Sequence, residues 1–559
     1  MNKEKIAKML KFTGLGKDEV LNLIEVPKNS DLGDYAFPFF SLAGRFKKNP
    51  ALIAADIVKK IKKTEDFEKI EAVGGYVNFF VNKKKFAEET IKNVDAYGKR
   101  YGSGKNKGKV MIEFSQPNTH KAFHIGHIRG TSLGESMARI LEFSGHEVVR
   151  ANYSGDTGMH IAKWMWGYLK YHSHENLKDD EEWIAEIYTD AVKKIGKDEK
   201  IQEEVNKINR KLDSKSDDKL NKLWEKTREL SIRSWAKIYD ELNTKFDVHY
   251  FESEFEKDGK KISRELLNKK IAEVSDDATI VRLDKYGLGV WVLLRKDGTV
   301  LYSAKDLALA YKKFKDFKIK RCITITAAEQ NLHFKQLQKT LELVKFKNWK
   351  DYDHFGYGEI RLPWGKMSSR TGDNVLYSEF KTEIVRLAAK EVEARFPKLE
   401  EIKIYDRALA IFIAALKYSM LKQDINKTII FDPKKSISFE GDTGPYLLYS
   451  YARAKSILGK AEYKKQKKFD VVEINEYERN LINELARFPE VVRSAYENLA
   501  PNAIANYSFE LAQMFNEFYH NCPVIGSDEE DFRLKLVDCF SQVLKNGLHL
   551  LGIGVIEEM

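Results

Sequence analysis

The chain has 559 residues, a length that predicts about two to four domains, because single hydrophobic cores of that size are unusual. With 43% hydrophobic, 12% aromatic and 32% charged residues, it is not a disordered or fibrous chain and has the composition of a soluble multidomain enzyme. Lys and Arg exceed Asp and Glu by 95 to 84, and the net charge of +11 fits either a polyanionic partner or a lysine-rich proteome.

The cysteines and the apolar runs bear on the compartment. Cys322, Cys522 and Cys539 lie far apart without a Cys-x-x-Cys pair, which argues against a zinc ribbon or a disulfide framework and favours a reducing environment. The longest clean apolar run ends at Leu416 and is too short to span a bilayer. We therefore expect a cytoplasmic protein without an export signal or a membrane anchor.

Residues 1–105 predict a small N-terminal α+β domain. Asn49 and Pro50 fit the cap and the first position of a helix, and "GGYVNFFVN" alternates as a half-buried strand does. A stretch rich in glycine and lysine, at about 102–109, then predicts a linker.

The next segments predict a βαβ unit. "VMIEF" predicts a strand from Val110, apolar residues at helical spacing follow, and "HEVVRANY" predicts the next strand. Such a unit implies parallel pairing, so we expect a doubly wound, Rossmann-like catalytic domain over 106–404. Ligands bind at the carboxyl ends of such strands, and "SQPNTHKAFHIGHIRG", from Ser115 to Gly130, follows the first of them.

The remaining elements predict a multidomain α/β protein with a C-terminal all-α bundle. Residues of about 163–290 form a charged insertion, for which solvated helices are a better explanation than a specific site. "VWVLLRKDGTVLY" predicts a hairpin that turns at Asp297 and Gly298, after which the α/β pattern resumes. Over 405–559 the strands disappear, and amphipathic helices predict a helical bundle.

Two histidines, His124 and His127, stand at the first strand-to-helix junction and allow three interpretations. A zinc pair is disfavoured, because helical metal pairs are more often four positions apart and no Cys or Glu lies nearby at ligand spacing. A structural core pair is the best explanation if the histidines are taken alone. The third is anion handling, in which imidazole N–H groups above a helix N-terminus stabilise charge on a phosphate.

A basic loop far downstream favours the phosphate interpretation. "WGKMSSRTGD" sets Lys366 and Arg370 around two serines, which fits a mobile cationic flap over polyphosphate. Together and in this order, His-Ile-Gly-His and Lys-Met-Ser-Ser-Arg resemble the two signatures of class I aminoacyl-tRNA synthetases.

Further stretches are similar to one family of that class, the arginyl-tRNA synthetases. They are "SQPNTHKAFHIGHIRG", "HEVVRANYSGDTG", "LYSAKDLALA", "GKMSSRTGD" and "DTGPYLLYSYARAKSIL". The N-terminal "LGDYAFPFFSLAGRFKKNPALIAADIVKKI" also resembles that family's additional domain, which contacts the tRNA elbow. The resemblance covers nearly the whole chain, and only the charged insertion is weakly matched.

The resemblance implies an arginine–tRNA ligase that serves translation. Arginine and Mg·ATP would give arginyl-adenylate and pyrophosphate, and arginine would then pass to the 2′-hydroxyl of the terminal adenosine of tRNA(Arg). It implies ATP with Mg²⁺ as a substrate, no permanently bound metal or organic cofactor, and tRNA(Arg), L-arginine and ATP as partners. We expect a monomer that does not bind DNA.

The resemblance also assigns candidate site residues. The catalytic set comprises His124, His127, Lys121, Lys366 and Arg370. The arginine pocket is expected to contain Ser115, Asn118, Glu147, Asn152, Tyr302, Asp306 and Gln330. Contacts with ATP are expected from His124, Gly126, His127, Lys366, Met367, Ser368 and Ser369, and contacts with the anticodon from Tyr446, Arg453 and Met559.

Several of these residues also have an ordinary structural explanation. Glu147 fits a solvated strand residue, and Asp306 fits a helix cap. Tyr302 fits a cross-strand partner in the hairpin, and Tyr446 fits a packing residue of the bundle. A guanidinium pocket nevertheless needs carboxylates, and the acidic pair Glu147 and Asp306 would supply them.

One position departs from the class pattern Lys-Met-Ser-Lys-Ser. Ser369 stands at the fourth position, so one phosphate-binding lysine is missing from the flap. We hypothesise that Lys121, three residues before His124, supplies the missing charge from the other side of the phosphates, with Arg370 as the next candidate.

Three other functions stay open. A class I synthetase for glutamate, glutamine or lysine shares both signatures, but the acidic pair argues against the first two and the bundle against all three. A non-catalytic tRNA-binding paralogue is disfavoured by the intact His124, His127 and Lys366. A metal hydrolase is disfavoured because no third ligand accompanies the two histidines.

Overall fold

The computed structural model describes residues 2–27, 29–62, 64–363, 376–464, 469, 471 and 473–559. Its helices are α1 (Asn2–Met9), α2 (Lys17–Leu23), α3 (Ala43–Phe46), α4 (Pro50–Lys60), α5 (Lys83–Tyr97), α6 (Ile125–Phe143), α7 (Met159–Gly167), α8 (Glu181–Ile195), α9 (Glu199–Ser214), α10 (Asp218–Glu241), α11 (Glu256–Asn268), α12 (Tyr302–Phe317), α13 (Asn331–Leu343), α14 (Tyr377–Arg395), α15 (Glu401–Leu421), α16 (Pro433–Ser436), α17 (Gly444–Lys460), α18 (Glu476–Asn498), α19 (Pro501–Asn521) and α20 (Glu530–Leu550). Its strands are β1 (Tyr35–Pro38), β2 (Phe67–Val73), β3 (Tyr76–Val81), β4 (Lys109–Glu113), β5 (Glu147–Ser154), β6 (Val248–Phe251), β7 (Glu273–Ser275), β8 (Ala278–Arg282), β9 (Val290–Leu294), β10 (Arg321–Ala327), β11 (Tyr352–Tyr357), β12 (Ile360–Arg361) and β13 (Ile429–Ile430). No helix in this described part of the chain is long and apolar enough to cross a membrane.

One compact unit comprises Met1–Tyr101, Ala454–Pro489 and Leu511–Val543. It contains an antiparallel sheet in the order β1-β3-β2. Asn49 caps α4 as the sequence predicts, because its side-chain oxygen accepts a hydrogen bond from the Ala51 N–H at 2.9 Å. The apolar faces of α4 and β3 pack in one core, which confirms the predicted α+β character of the N-terminal region.

A second compact unit comprises Gly102–Arg453, Glu490–Glu510 and Leu544–Met559. Its parallel sheet has the order β11-β10-β4-β5-β6, and α6 connects β4 to β5. This arrangement confirms the predicted βαβ unit and the doubly wound fold. The strand order reverses between β4 and β10, so the crevice for ligands lies at the carboxyl ends of these two strands.

The C-terminal part of the chain is helical, as predicted, through α17 to α20. Residues of these helices belong to both compact units, so the division into 1–105, 106–404 and 405–559 stays a prediction. One detail was wrong: the short strand β13 lies beyond residue 405 and pairs with β12.

The charged insertion folds around an aromatic core. Trp164, Trp183 and Ile187 are buried where α7 and α8 meet, and Trp164 stacks on Tyr168 with 5.4 Å between ring centroids. The prediction of solvated helices describes the outer faces of the insertion but misses this core. A count of charged residues does not reveal widely spaced aromatic residues, but the burial of these aromatic residues stabilises the packing of the helices.

The predicted hairpin turn lies at Asp297 and Gly298. Gly298 has a φ of +80°, and the Arg295 N–H donates to the Thr299 carbonyl at 2.9 Å. The returning segment pairs through a single bridge at Val300 before α12 begins.

Candidate active site

The turn between β4 and α6 has a strained backbone that its neighbours hold. Ser115, Gln116 and His120 have positive φ angles of 80°, 51° and 60°. Such conformations cost about 1 kcal/mol or more each and persist where the surroundings fix them. Here the side-chain oxygen of Asn152 on β5 accepts a hydrogen bond from the Gln116 N–H at 3.1 Å. The turn thereby carries the chain from the sheet to His124, the N-cap of α6.

His124 and His127 share the cap of α6. Nδ1 of His124 accepts a hydrogen bond from the Gly126 N–H at 3.1 Å, and Nδ1 of His127 accepts one from the His124 N–H at 3.1 Å. A backbone N–H can only donate, so both neutral rings carry their proton on Nε2. The ring centroids lie 3.9 Å apart. The pair therefore presents two Nε2–H donors side by side.

Burial keeps both rings neutral at pH 7. Burial, with a smaller contribution from Lys121, lowers the pKa of His124 to about 4. Burial also lowers the pKa of His127 well below 6.5, with contributions from His124 and Lys121. The two imidazoles are therefore hydrogen-bond donors and not cations, so positive charge at this place must come from another residue.

The two histidines face a cleft of about 910 Å³, a volume that suits a nucleotide. Asn118 and Lys121 line it from the turn, and Tyr188 lines it from α8. The Lys121 ammonium lies 5.6 Å from the centroid of the Tyr188 ring, and burial together with Lys163 lowers the pKa of Lys121. Lys121 thus brings a cation to the cleft that the histidines line.

The predicted flap lies outside the described residues, and with it Lys366, Met367, Ser368, Ser369 and Arg370. The chain that follows the flap is described. Leu376 forms an antiparallel bridge with His124, and the Tyr377 N–H donates to the Phe123 carbonyl at 3.1 Å. The start of α14 is thus joined to the first histidine of the motif.

A carboxylate with an unused oxygen lies in the first turns of α12. Oδ2 of Asp306 accepts from Nε2 of His333 at 2.6 Å, and Nδ1 of His333 accepts from the Trp291 indole at 3.2 Å. This chain of bonds places the His333 proton on Nε2 and leaves the ring neutral. Oδ1 of Asp306 is buried and has no hydrogen-bond partner at normal bonding distance among the residues that the structure describes. The buried Tyr153 hydroxyl is its neighbour, since burial, with a contribution from Asp306, raises the pKa of Tyr153. Tyr302, one turn earlier, packs edge-on against His333 at 4.7 Å between centroids.

Three family models match the chain. "tRNA synthetases class I (R), catalytic domain" matches residues 90–432. "DALR anticodon binding domain" matches residues 447–559, and "Arginyl tRNA synthetase N terminal domain" matches residues 2–81. An arginine–tRNA ligase of Clostridium acetobutylicum is 36% identical over 559 residues, covering 98% of each chain. The chain belongs to the arginyl-tRNA synthetase family.

Further relatives agree with this membership. An arginine–tRNA ligase of Clostridium perfringens is 35% identical and covers 100% of each chain. The solved arginyl-tRNA synthetase of Thermus thermophilus superposes with a TM-score of 0.82 at 26% identity, covering 100% of this chain and 99% of that one. The Plasmodium falciparum structure, at 23% identity and a TM-score of 0.78, shares the fold. The resemblance that the sequence motifs indicated is thereby confirmed.

The structure does not bring Glu147 into the arginine pocket. Glu147 is the first residue of β5, paired with Lys109 at the start of β4, whereas the site lies at the other ends of these strands. Its carboxylate is 68% exposed and forms an ion pair with the Lys109 ammonium at 2.6 Å. The placement of Glu147 in the pocket is therefore wrong, and the solvated strand residue is the correct interpretation.

Glu113 is the acidic residue that sequence reasoning missed. It is the last residue of β4, 2% exposed, and its Oε2 lies 2.6 Å from the ammonium of Lys313 on α12. Its Oε1 accepts from Gln116 at 3.3 Å. A signal was available, because a glutamate ends the otherwise apolar "VMIEF" at the carboxyl end of a predicted strand.

Ser115 and Asn152 lie at the site, but their side chains form hydrogen bonds with other protein groups. The Ser115 hydroxyl lies 2.8 Å from the Tyr239 hydroxyl and accepts a hydrogen bond from Thr131 at 2.8 Å. The Asn152 amide donates to the same Tyr239 hydroxyl at 3.0 Å, besides holding the Gln116 N–H. Both side chains are buried and engaged with these partners, and their contact with arginine stays a prediction.

The other pocket candidates lie at the carboxyl edge of the sheet. Asn118 lines the cleft, and Gln330 is exposed in the turn that follows β10. Tyr302 is the first residue of α12 and not a strand residue, and it is 56% exposed. His333, which orients Asp306, was missed although it stands three positions beyond Gln330 in "AAEQNLH".

Arg129, inside the motif region, was also missed. Its buried guanidinium donates to the carbonyls of Gly358 at 2.6 Å and Ile425 at 3.0 Å, and also to Glu359 at 3.2 Å. Gly358 and Glu359 precede the predicted flap by a few residues. The helix that carries the two histidines thus holds the chain on the upstream side of the flap as well.

The candidate anticodon residues lie on the bundle helices and at the C-terminus. Tyr446 is half-buried with its ring centroid 5.6 Å from that of Phe509, so the packing interpretation describes its present contact. The Arg453 guanidinium donates to the Tyr449 hydroxyl at 2.9 Å. Met559 packs against a hydrophobic core of the second unit.

The zinc interpretation finds no support in the geometry. Among the described residues no three His, Cys, Asp or Glu side chains form a group that could hold a metal ion. Nδ1 of each motif histidine is already engaged in the cap of α6.

Proposed function

We propose that the protein is an arginine–tRNA ligase that activates L-arginine with ATP and transfers it to tRNA(Arg). The observation that carries the choice of amino acid is the buried Oδ1 of Asp306. An anionic acceptor with a neutral imidazole on its other oxygen favours a cationic ligand, and a planar guanidinium offers the matching donors. Tyr302 and Gln330 would border the guanidinium, and Asn118 would meet the α-amino or carboxylate group.

The first step is an in-line displacement. The arginine carboxylate attacks the α-phosphate of Mg·ATP, a new acyl–phosphate bond forms, and pyrophosphate leaves. The Nε2–H groups of His124 and His127 would donate to the phosphate oxygens, where charge develops in the transition state. Lys121 and Lys366 would neutralise the departing pyrophosphate, with Arg370 as the further cation.

The remaining proposed contacts complete the cycle. The Gly126 N–H orients the His124 ring, and Met367, Ser368 and Ser369 would close over the nucleotide. The 2′-hydroxyl of the terminal tRNA adenosine then attacks the adenylate carbonyl and releases AMP. Tyr446, Arg453 and Met559 would contact the anticodon. Tyr446 can stack on a base, and Arg453 can donate hydrogen bonds from its guanidinium. We propose a monomer that acts in the cytoplasm, with Mg²⁺ entering only as part of the ATP substrate.

The test is exchange of labelled pyrophosphate into ATP. We expect exchange with arginine in the presence of tRNA(Arg), and none with lysine, glutamate or glutamine. Asp306→Asn should lower kcat/KM for arginine by about 10²-fold or more, because the guanidinium would lose its anionic acceptor and buried polar groups would be left unpaired. Asp316→Asn, an exposed carboxylate on the same helix, is the control that should change little.

Two results would contradict the proposal. Exchange with lysine and not with arginine would reassign the substrate. No exchange with any amino acid, together with intact tRNA binding, would favour a non-catalytic tRNA-binding paralogue.

A further inference from the structure

The N-terminus of α14 lacks a cap of its own. Its N-cap residue is Leu376, whose side chain cannot accept a hydrogen bond. The first N–H groups of a helix need hydrogen-bond acceptors. At this helix the acceptor comes from elsewhere in the chain.

Glu181, the first residue of α8 in the charged insertion, fills that place. Its Oε1 accepts from the Tyr377 N–H at 3.3 Å and its Oε2 accepts from the Ser378 N–H at 3.3 Å, across 196 and 197 positions of sequence. Both oxygens of one carboxyl group therefore bind the first turn of α14.

A second acidic residue of the insertion binds the same turn. Glu241, the last residue of α10, accepts from the Tyr377 hydroxyl at 2.8 Å and from the Lys381 ammonium at 2.5 Å. Tyr377 is 2% exposed, so this contact is made in the interior. The beginning of α8 and the end of α10 thus both hold the first turn of α14.

The first turn of α14 in turn contacts His124, the first histidine of the motif. Leu376 pairs with His124 in an antiparallel bridge, and the Tyr377 N–H is shared between Glu181 and the Phe123 carbonyl. His124 in turn donates its N–H to the His127 ring, so a shift of Leu376 moves both imidazoles together.

We propose that Glu181 is a positioning residue for the activation step: by capping α14 it fixes Leu376 and, through the bridge, the phosphate-facing imidazoles of His124 and His127. The charged insertion then has a catalytic role beyond solvated structure. The inference rests on the proposed function, since activation of an amino acid is the reaction in which it is measured.

The charge state of Glu181 decides which variants to use. Burial raises the pKa of Glu181 to about 8, opposed by its bonds to Ser378 and Tyr377, so the group is largely protonated at pH 7. Glutamine keeps the size, the neutrality and one oxygen acceptor, whereas alanine removes both acceptors. Glu181→Ala is therefore the disruptive variant, and Glu181→Gln is the conservative one.

In arginine-dependent pyrophosphate exchange with tRNA present, Glu181→Ala should lower kcat about 10- to 100-fold, as displacement of a catalytic group does. KM for arginine should stay within about twofold, because the pocket around Asp306 is untouched. Glu181→Gln should recover most of the loss at pH 7. Glu199→Ala, which replaces the exposed first residue of the neighbouring helix α9, is the matched control for helix stability and should keep wild-type kcat.

A double-mutant cycle separates positioning from general structure. In a background that carries both His124→Asn and His127→Asn, Glu181→Ala should cost little further activity, because its effect passes through those two imidazoles. Additive losses, an unchanged kcat in Glu181→Ala, or an equal loss in the Glu199→Ala control would overturn the proposal. Absence of exchange in the wild-type protein would instead overturn the proposed function, so the two failures are distinguishable.

Discussion

At the scale of single residues, the described positive charge of the cleft comes from Lys121 beside the histidines and from Lys193 and Lys194 of α8, the last of which pairs with Asp190. His124 and His127 are neutral, because burial lowers their pKa values, and they contribute dipoles. Burial and Lys163 also lower the pKa of Lys121, so its ammonium form is disfavoured while no anion is near. Lys121 attracts a polyanion fully only if the ligand restores this positive charge. A bound triphosphate would do so, since an adjacent anion favours the ammonium form.

Lys121→Ala should therefore lower kcat of arginine activation by about 10²-fold, with Lys121→Arg retaining part of the activity, because one charge-assisted contact in the transition state is lost. Pyrophosphate exchange at saturating arginine measures this. Lys170→Ala, at an exposed lysine of the insertion that pairs with Glu204, is the control. If Lys121→Ala keeps full activity while Lys366→Ala abolishes it, Lys121 does not supply the missing flap charge and Arg370 becomes the candidate.

At the scale of elements, α6 is held along its length by polar contacts that differ at its two ends. Its first turn carries the histidine cap, and its later turns carry Glu135 and Arg139. Nearby, Lys417 of α15 is fully buried and donates to the Gly552 carbonyl at 3.0 Å. Burial lowers the pKa of Lys417 to about 7, with Glu135 raising it and Arg139 lowering it.

The lowered pKa of Lys417 predicts how the stability of the folded protein depends on pH. Between pH 7 and 10.5 the unfolded chain holds a proton on this lysine that the folded chain has released, so a higher pH favours the folded state. The free energy of unfolding of the wild type minus that of Lys417→Met should rise from pH 7 to 9, by roughly 0.7 kcal/mol per pH unit at pH 7 and approaching roughly 1.4 kcal/mol per pH unit above pH 8. Urea unfolding at several pH values measures it.

Lys403→Met is the control for Lys417, since it removes a surface lysine of the same helix whose ammonium pairs with Glu400. Its difference from the wild type should stay flat over the same pH range. A flat difference for Lys417→Met as well would show that the ammonium is charged in the folded protein.

At the scale of the whole molecule, several histidines are buried in neutral form. Burial lowers the pKa values of His120 and His160 to about 3, and those of His124 and His354 to about 4. In the unfolded chain these groups bind protons below about pH 6.5. Their contribution to stability is therefore fully present above pH 6.5 and is lost as the pH falls towards 4.

The midpoint of thermal unfolding should accordingly fall steeply between pH 6.5 and 5, each such histidine costing up to about 1.4 kcal/mol per pH unit. Differential scanning calorimetry checks this. His354→Gln should make the fall shallower, because it removes one group that protonates on unfolding. His174→Gln, at an exposed position of the insertion, should leave the slope as it is. Equal slopes for the wild type and His354→Gln would contradict the account.

Local signals in the sequence were sufficient for much of the fold. The Asn49 cap, the alternation of β3 and the run from β4 through α6 to β5 each depend on residues within about one element, and each appears where predicted. The Lys-Met-Ser-Ser-Arg segment, by contrast, is recognised from sequence but lies outside the described residues, so the roles of Lys366 and Arg370 stay predictions.

Contiguous patterns in the sequence are enough to recognise the family, the order of the elements and the junction where the chemistry lies. The sequence by itself did not determine which acidic side chain reaches that junction. Glu113 and Glu147 both belong to strands, but one ends its strand and the other begins it, so they lie at opposite edges of the sheet. The partners of Arg129 and Glu181 lie 196 to 296 positions away along the chain. Only the tertiary structure brings such groups together, because hydrogen bonds between distant segments leave no periodic pattern in either one.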